Sequence, residues 1–179
     1  PQFKAAATTR ELSLTNTEEE IKFFEPGAPG SSSHINSIES SKYTKLADLE
    51  TYYTDTAIAN VFIDKGAAKD IFDFVWQSVQ VKPSPEVGGF LMGKIQSNRD
   101  RPGLYDVYIN AFLKDMAPDF QNNVNISFSD AIASDELDYI DSHQGEEKVG
   151  WLHTHPGHGV FLSPTDIGSH FRAFPRATQ

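Results

Sequence analysis

The chain has 179 residues, 39% of them apolar, enough to enclose one core and too few for two comfortable domains. Its formal charge of −10 disfavours nonspecific attachment to phosphate backbones and leans towards a basic or neutral partner surface. With no cysteine there is neither a disulfide framework nor a thiol nucleophile, and no window reaches the roughly 18 apolar residues of a membrane span, so neither membrane nor nucleic acid is an expected partner and a cytoplasmic location is expected.

Residues 1 to about 55 read as a partly irregular N-terminal extension. They carry a charged run at Glu18-Glu19-Glu20 and a breaker-rich stretch from Glu25 to Ser33 with too little apolar surface to bury. From Ala57 the pattern tightens. Ala57–Ile63 reads as a strand, and Ala67–Val79 places Ile71, Phe72, Val75, Trp76 and Val79 at the spacing of a helix with one buried face. Lys82-Pro83-Ser84-Pro85 stops that helix, because each proline holds the residue before it extended.

Val87–Ile95 is an apolar strand with three glycines, which suits the close approach of a neighbouring backbone or a ligand. Asn98–Gly103 supplies a turn, and Leu104–Leu113 is its hairpin mate, with Tyr105, Val107 and Ile109 on one side. Asp115–Asn123 is polar and irregular, a candidate rim for a site. Val124–Phe128 reads as a strand, followed by a helix that Ser129 caps and that runs to about Ser142 before Gly145. Val149 to His153 or His155 is the last strand, and Ser163-Pro164 opens the last helix, with serine at the cap and proline where its missing N–H costs nothing. Strands alternating with helices, together with a hairpin signal, imply an α/β fold: a mixed sheet flanked by helices.

The chemistry concentrates near the end of the chain. His153 and His155 point the same way if the strand persists through both, and Pro156-Gly157 then turns the chain so that Asp166 approaches from the first turn of the last helix. Two imidazoles and a carboxylate leave the fourth position of a tetrahedron for water, which distinguishes a catalytic zinc from a structural one. The helix start favours the anionic form of Asp166, and the imidazoles must be neutral to bind metal. Glu86 is the candidate base. Ser-x-x-Asp is also the pattern of a plain helix cap, so on physical grounds the ligand and capping readings of Ser163 and Asp166 both stand. His158 fits the rim of the site better than a fourth ligand, which would close the open position. His34, His143 and His170 have ordinary surface or helix-face readings, and Tyr52-Tyr53 and Phe72, Phe74 and Trp76 read as packing residues, since the basic interleaving of a nucleic-acid platform is missing.

With a distant Glu followed by His-x-His-x7-Ser-x2-Asp, the chain resembles the JAMM, or MPN-plus (Mov34/PAD-1-like), metalloproteases. His153, His155, Ser163 and Asp166 match every fixed position, and Glu86-Val87-Gly88-Gly89-Phe90-Leu91-Met92-Gly93 matches the family's Glu-x-Gly-Gly-x-x-x-Gly segment. The context from Gly150 to Ser163 is similar to the deubiquitinating members. The resemblance implies the MPN/JAMM, cytidine-deaminase-like fold over residues 56–179. It also implies a Zn2+ ion held by His153, His155 and Asp166, with Glu86 activating water and Ser163 stabilising the intermediate. The implied reaction is hydrolysis of the amide bond after the C-terminal glycine of ubiquitin or a ubiquitin-like protein. The first fifty residues fit a prokaryotic relative, of the kind encoded beside ubiquitin-like proteins and E1/E2-like enzymes, including in antiphage defence systems. Family domains continue past the last motif helix into another core strand, so a domain truncated at Gln179, or completed by another segment, is expected. The competing functions are hydrolysis of small peptides or amino-acid conjugates, with the same chemistry in a closed pocket, and a metal-free scaffold of the same fold.

Overall fold

Among the described residues, apolar alternation and helical periodicity resolve into a five-stranded mixed sheet flanked by three helices. The computed structural model describes residues 41–48, 57–121 and 126–174, which fall within a compact unit spanning Ser33–Gln179. The acidic run, the breaker-rich stretch, His34 and Tyr52-Tyr53 lie outside the described residues, as does the segment after Phe174. The strands are β1 (Tyr43–Asp48), β2 (Ile58–Asp64), β3 (Gly88–Ser97), β4 (Tyr105–Lys114), a short pair β5 (Phe120–Gln121) and β6 (Ile126–Ser127), and β7 (Glu147–His153). The helices are α1 (Lys65–Val79), α2 (Asp130–Ser142) and α3 (Pro164–Ala173).

The sheet order is β1-β2-β4-β3-β7, with β5 and β6 paired separately. Only β2 and β4 run parallel; the other neighbours in the sheet are antiparallel. The β3–β4 hairpin expected from the Asn98–Gly103 turn is present, and its turn is fixed by Asn98 Oδ1, which accepts from the N–H groups of Asp100 and Arg101. β1 was not expected. It precedes residue 56 and pairs antiparallel with β2, so part of the N-terminal stretch completes the sheet. Of the strand expected over residues 124–128, Ile126–Ser127 form β6, while residues 124 and 125 lie outside the described residues.

One core cluster joins Ile63, Val107, Ile109 and Val149 of the sheet to Ala67 of α1, with Ile71, Leu91 and Ile95 packed against it. Burial of such side chains contributes about 1.5–3 kcal/mol each. Asp64 starts α1 by accepting from the N–H groups of Gly66 and Ala67, two of the donors a helix start leaves unpaired. The expected buried face of α1 needs correction at two positions. Phe72 and Trp76 are 46% and 49% exposed and stack on each other with centroids 6.1 Å apart, while Phe74 turns inward against Phe112. The covered face runs through Ala67, Ile71, Phe74 and Ser78, about 100° per residue, and the aromatic pair sits beside it.

Candidate metal centre

Three elements converge at one end of the sheet. β7 ends at His153, so its ladder does not reach His155. Both imidazoles nevertheless present Nε2 to the same point, 2.8 Å apart. The turn that follows is made by Pro156 and Gly157, whose φ of +79° is a left-handed conformation that glycine adopts without steric cost. The loop then returns the chain to Ser163 and α3. Asp166 enters from the first turn of that helix, with Oδ1 3.4 Å from His153 Nε2 and Oδ2 3.5 Å from His155 Nε2.

These atoms form a set in which every ligand atom lies within 4.8 Å of the others. A tetrahedral zinc with bonds of about 2.0–2.2 Å needs ligand atoms about 3.3–3.5 Å apart. Asp166 approaches each imidazole at about that distance, through Oδ1 for His153 and Oδ2 for His155, and the two imidazole nitrogens, 2.8 Å apart, stand closer together. The donor chemistry, two imidazoles and one carboxylate, fits zinc and leaves one position open.

The capping and ligand readings of Asp166 turn out to be compatible. Ser163 Oγ accepts from the Asp166 N–H at 3.2 Å, and Asp166 Oδ2 accepts from the Ser163 N–H at 2.7 Å, a complete capping box. The box fixes the carboxylate while Oδ1 faces His153. Burial works against the Asp166 anion, but the hydrogen bonds from Ser163 and the neighbouring imidazoles outweigh it, so its pKa lies below the usual carboxylate value. Burial is also the main influence on His153, whose pKa is lowered despite Asp166, which favours the neutral ring a metal requires.

Glu86 stands apart from the ligands. It is 3% exposed, and its Oε1 lies 3.9 Å from His155 Nε2, beyond hydrogen-bond range. Burial raises its pKa; Asp166 adds to the rise, and His155 and His158 oppose it. Such a carboxyl accepts a proton more readily than an exposed one. All five residues read from the sequence as site residues, Glu86, His153, His155, Ser163 and Asp166, are thus gathered in one place. His158 is exposed and outside the ligand set. His143 stacks on Tyr139, and His170 accepts from the Trp151 indole N–H at 3.3 Å, so both serve packing.

Several supporting residues had no role assigned to them from the sequence. Trp151 stacks on the His153 ring at 4.7 Å, as its place two residues earlier on the same strand permits. Phe161, from the return loop, packs on His155 at 4.5 Å. Asp115, at the start of the stretch read as a candidate rim, is 4% exposed. It accepts from the Ser129 N–H and hydroxyl and from the Ala117 N–H, tying the end of β4 to the start of α2. Gln121 Nε2 donates to the Glu86 carbonyl at 2.6 Å. The three glycines of β3 admit backbone, not ligand. A Cβ on Gly88 would stand 2.4 Å from the Leu152 carbonyl oxygen, and Gly89 and Gly93 face carbonyl oxygens as closely.

No curated protein matches this chain. The family model described as JAB1/Mov34/MPN/PAD-1 ubiquitin protease matches residues 56–174, more than half of the sequence and every residue of the centre. The mixed sheet flanked by helices agrees with the fold expected of that family. On this match the chain belongs to the JAB1/Mov34/MPN/PAD-1 family.

Proposed function

We propose that the protein is a zinc-dependent isopeptidase that hydrolyses the amide bond after the C-terminal glycine of ubiquitin or a ubiquitin-like modifier, acting in the cytoplasm within a catalytic domain of residues 56–179. Family membership supports a deubiquitinase-like or scaffold role. The observation that carries the choice of enzyme is the buried Glu86 carboxylate beside, and not within, a three-ligand set. A scaffold gains nothing from a desolvated carboxylate at that point, whereas a hydrolase needs a base there.

His153, His155 and Asp166 would hold the ion. Zinc supplies Lewis acidity that polarises the scissile carbonyl and makes an attacking water more acidic. Glu86 accepts the proton of that water and then delivers it to the departing lysine amine, which leaves far more readily once protonated. Ser163, with its oxygen fixed by the Asp166 N–H, donates its hydroxyl hydrogen to the oxyanion as charge grows there. Ser163 is not a nucleophile in this scheme.

An exposed apolar rim supports a macromolecular substrate. Val160, Phe161 and Leu162 on the return loop and Ile167 and Phe171 on α3 are exposed, Phe161 against His155, and exposed apolar side chains clustered in one stretch of chain favour an interaction surface. A second reading, hydrolysis of small peptides or amino-acid conjugates, draws on a cavity of about 270 Å3 bordered by Glu86, Phe90, Phe128, Trp151 and Asp166. The test is cleavage of a ubiquitin-like protein fused through its C-terminal glycine, beside cleavage of short acyl-glycyl peptides, each with a chelator and with zinc restored. The proposal expects zinc-dependent release from the fusion at far higher kcat/KM than from the peptides. Cleavage of the peptides alone would favour the second reading, and cleavage of neither by a folded, zinc-loaded protein would leave the scaffold.

A further inference from the structure

The base sits outside regular secondary structure. Glu86 precedes β3, which begins at Gly88, so sheet pairing does not fix it. We infer that Thr154, the residue between the two ligand histidines, is the positioning residue that holds Glu86 against the metal centre; the inference rests on the isopeptidase reading above.

Two bonds run from Thr154 to one residue, Val87. The Thr154 N–H donates to the Val87 carbonyl at 2.9 Å, and Thr154 Oγ1 accepts from the Val87 N–H at 3.0 Å. The pair reproduces the two-bond exchange of an antiparallel sheet one residue after β7 has ended. The side-chain oxygen stands in for a main-chain carbonyl, because the chain is turning away towards Pro156. The peptide that follows Glu86 is thereby tied to the peptide that joins the imidazoles. Base and ligands hold their relative placement through this clamp, even though Glu86 Oε1 and His155 Nε2 are 3.9 Å apart and not bonded to each other. Branching at Cβ limits Thr154 to few rotamers, so the acceptor is held in place. Gly88 tightens the same junction, since it pairs with His153 and has no room for a side chain. Gln121 Nε2 also holds the Glu86 carbonyl, without tying it to the ligand histidines in any bond among the described residues.

Thr154→Val keeps the shape and removes the acceptor, while Thr154→Ser keeps the acceptor. Each is compared with wild type for kcat and KM on the modifier fusion, for zinc content, and for amide hydrogen exchange. For Thr154→Val the expected result is a fall in kcat approaching 10²-fold, the order of loss that a displacement of about 1 Å produces. KM and zinc content stay at wild-type values, and the Val87 amide exchanges faster while those inside β3 and β7 keep their protection. Thr154→Ser restores most of the turnover. A Thr154→Val protein that turns over at the wild-type rate overturns the inference, as does one whose rate falls only in step with lost zinc. A wild-type protein inactive with zinc sinks the isopeptidase reading itself, and the wild-type arm shows which of the two has failed.

Discussion

Glu86 carries a stability cost that follows from its surroundings. Burial raises its pKa in the metal-free protein, so its contribution to stability is fully present below the ordinary glutamate pKa and is lost as pH rises through the folded value. At neutral pH the ionised side chain therefore opposes folding. Glu86→Gln should raise the melting temperature of the metal-free protein at neutral pH, and the gain should vanish on acidification below the ordinary glutamate range. Thermal melts of both proteins across pH test this; a Glu86→Gln protein less stable than wild type at neutral pH would contradict it. The identity of the site residues was legible in the sequence because metal ligation demands particular atoms at fixed spacings. Trp151 and Thr154 stood within the Gly150–Ser163 context that resembles the family, but their roles were not legible, nor was Gln121 at all, because they act through stacking or through main-chain bonds that many side chains could supply at an unknown register.

At the scale of elements, the centre depends on how β3, β7 and α3 begin and end. Ser163→Ala removes the acceptor of the capping box and should cost about 1 kcal/mol of stability, together with a fall in kcat of about 10²-fold if its hydroxyl serves the oxyanion. Denaturant melts and kinetics on one sample separate the two losses. Gly88→Ala would press a methyl group against the Leu152 carbonyl beside His153, so zinc content should fall together with stability. Normal zinc binding by that variant would mean that the β3–β7 junction does not set ligand geometry. Asp115→Ala leaves the Ser129 and Ala117 donors without their acceptor, a loss of about 1–3 kcal/mol, with zinc content unchanged. The strands and helices around these junctions could be read from periodicity and from proline and glycine positions. β1 could not, since Tyr43–Asp48 lacks a strong alternation and is held by pairing with β2. The burial of Asp115 was also hidden, because a polar residue in an irregular stretch gives no sign that three donors will surround it.

For the whole molecule, the apolar rim and the net charge of −10 bear on the partner. Among the described residues no helix is long and apolar enough to cross a membrane. Phe171 is 71% exposed on α3, so Phe171→Ser should leave stability within about 0.5 kcal/mol of wild type. It should raise KM for a modifier fusion while leaving short-peptide hydrolysis unchanged, and steady-state kinetics on both substrates would show whether the rim is a docking surface. The account as a whole depends on a division of roles in which His153, His155 and Asp166 bind the ion and Glu86 only moves protons. The most direct test is the zinc stoichiometry of Glu86→Gln measured beside His155→Ala, with folding verified for each. The account predicts one zinc per chain in Glu86→Gln and a deficit in His155→Ala; loss of zinc from a folded Glu86→Gln protein, or full occupancy in His155→Ala, would contradict it.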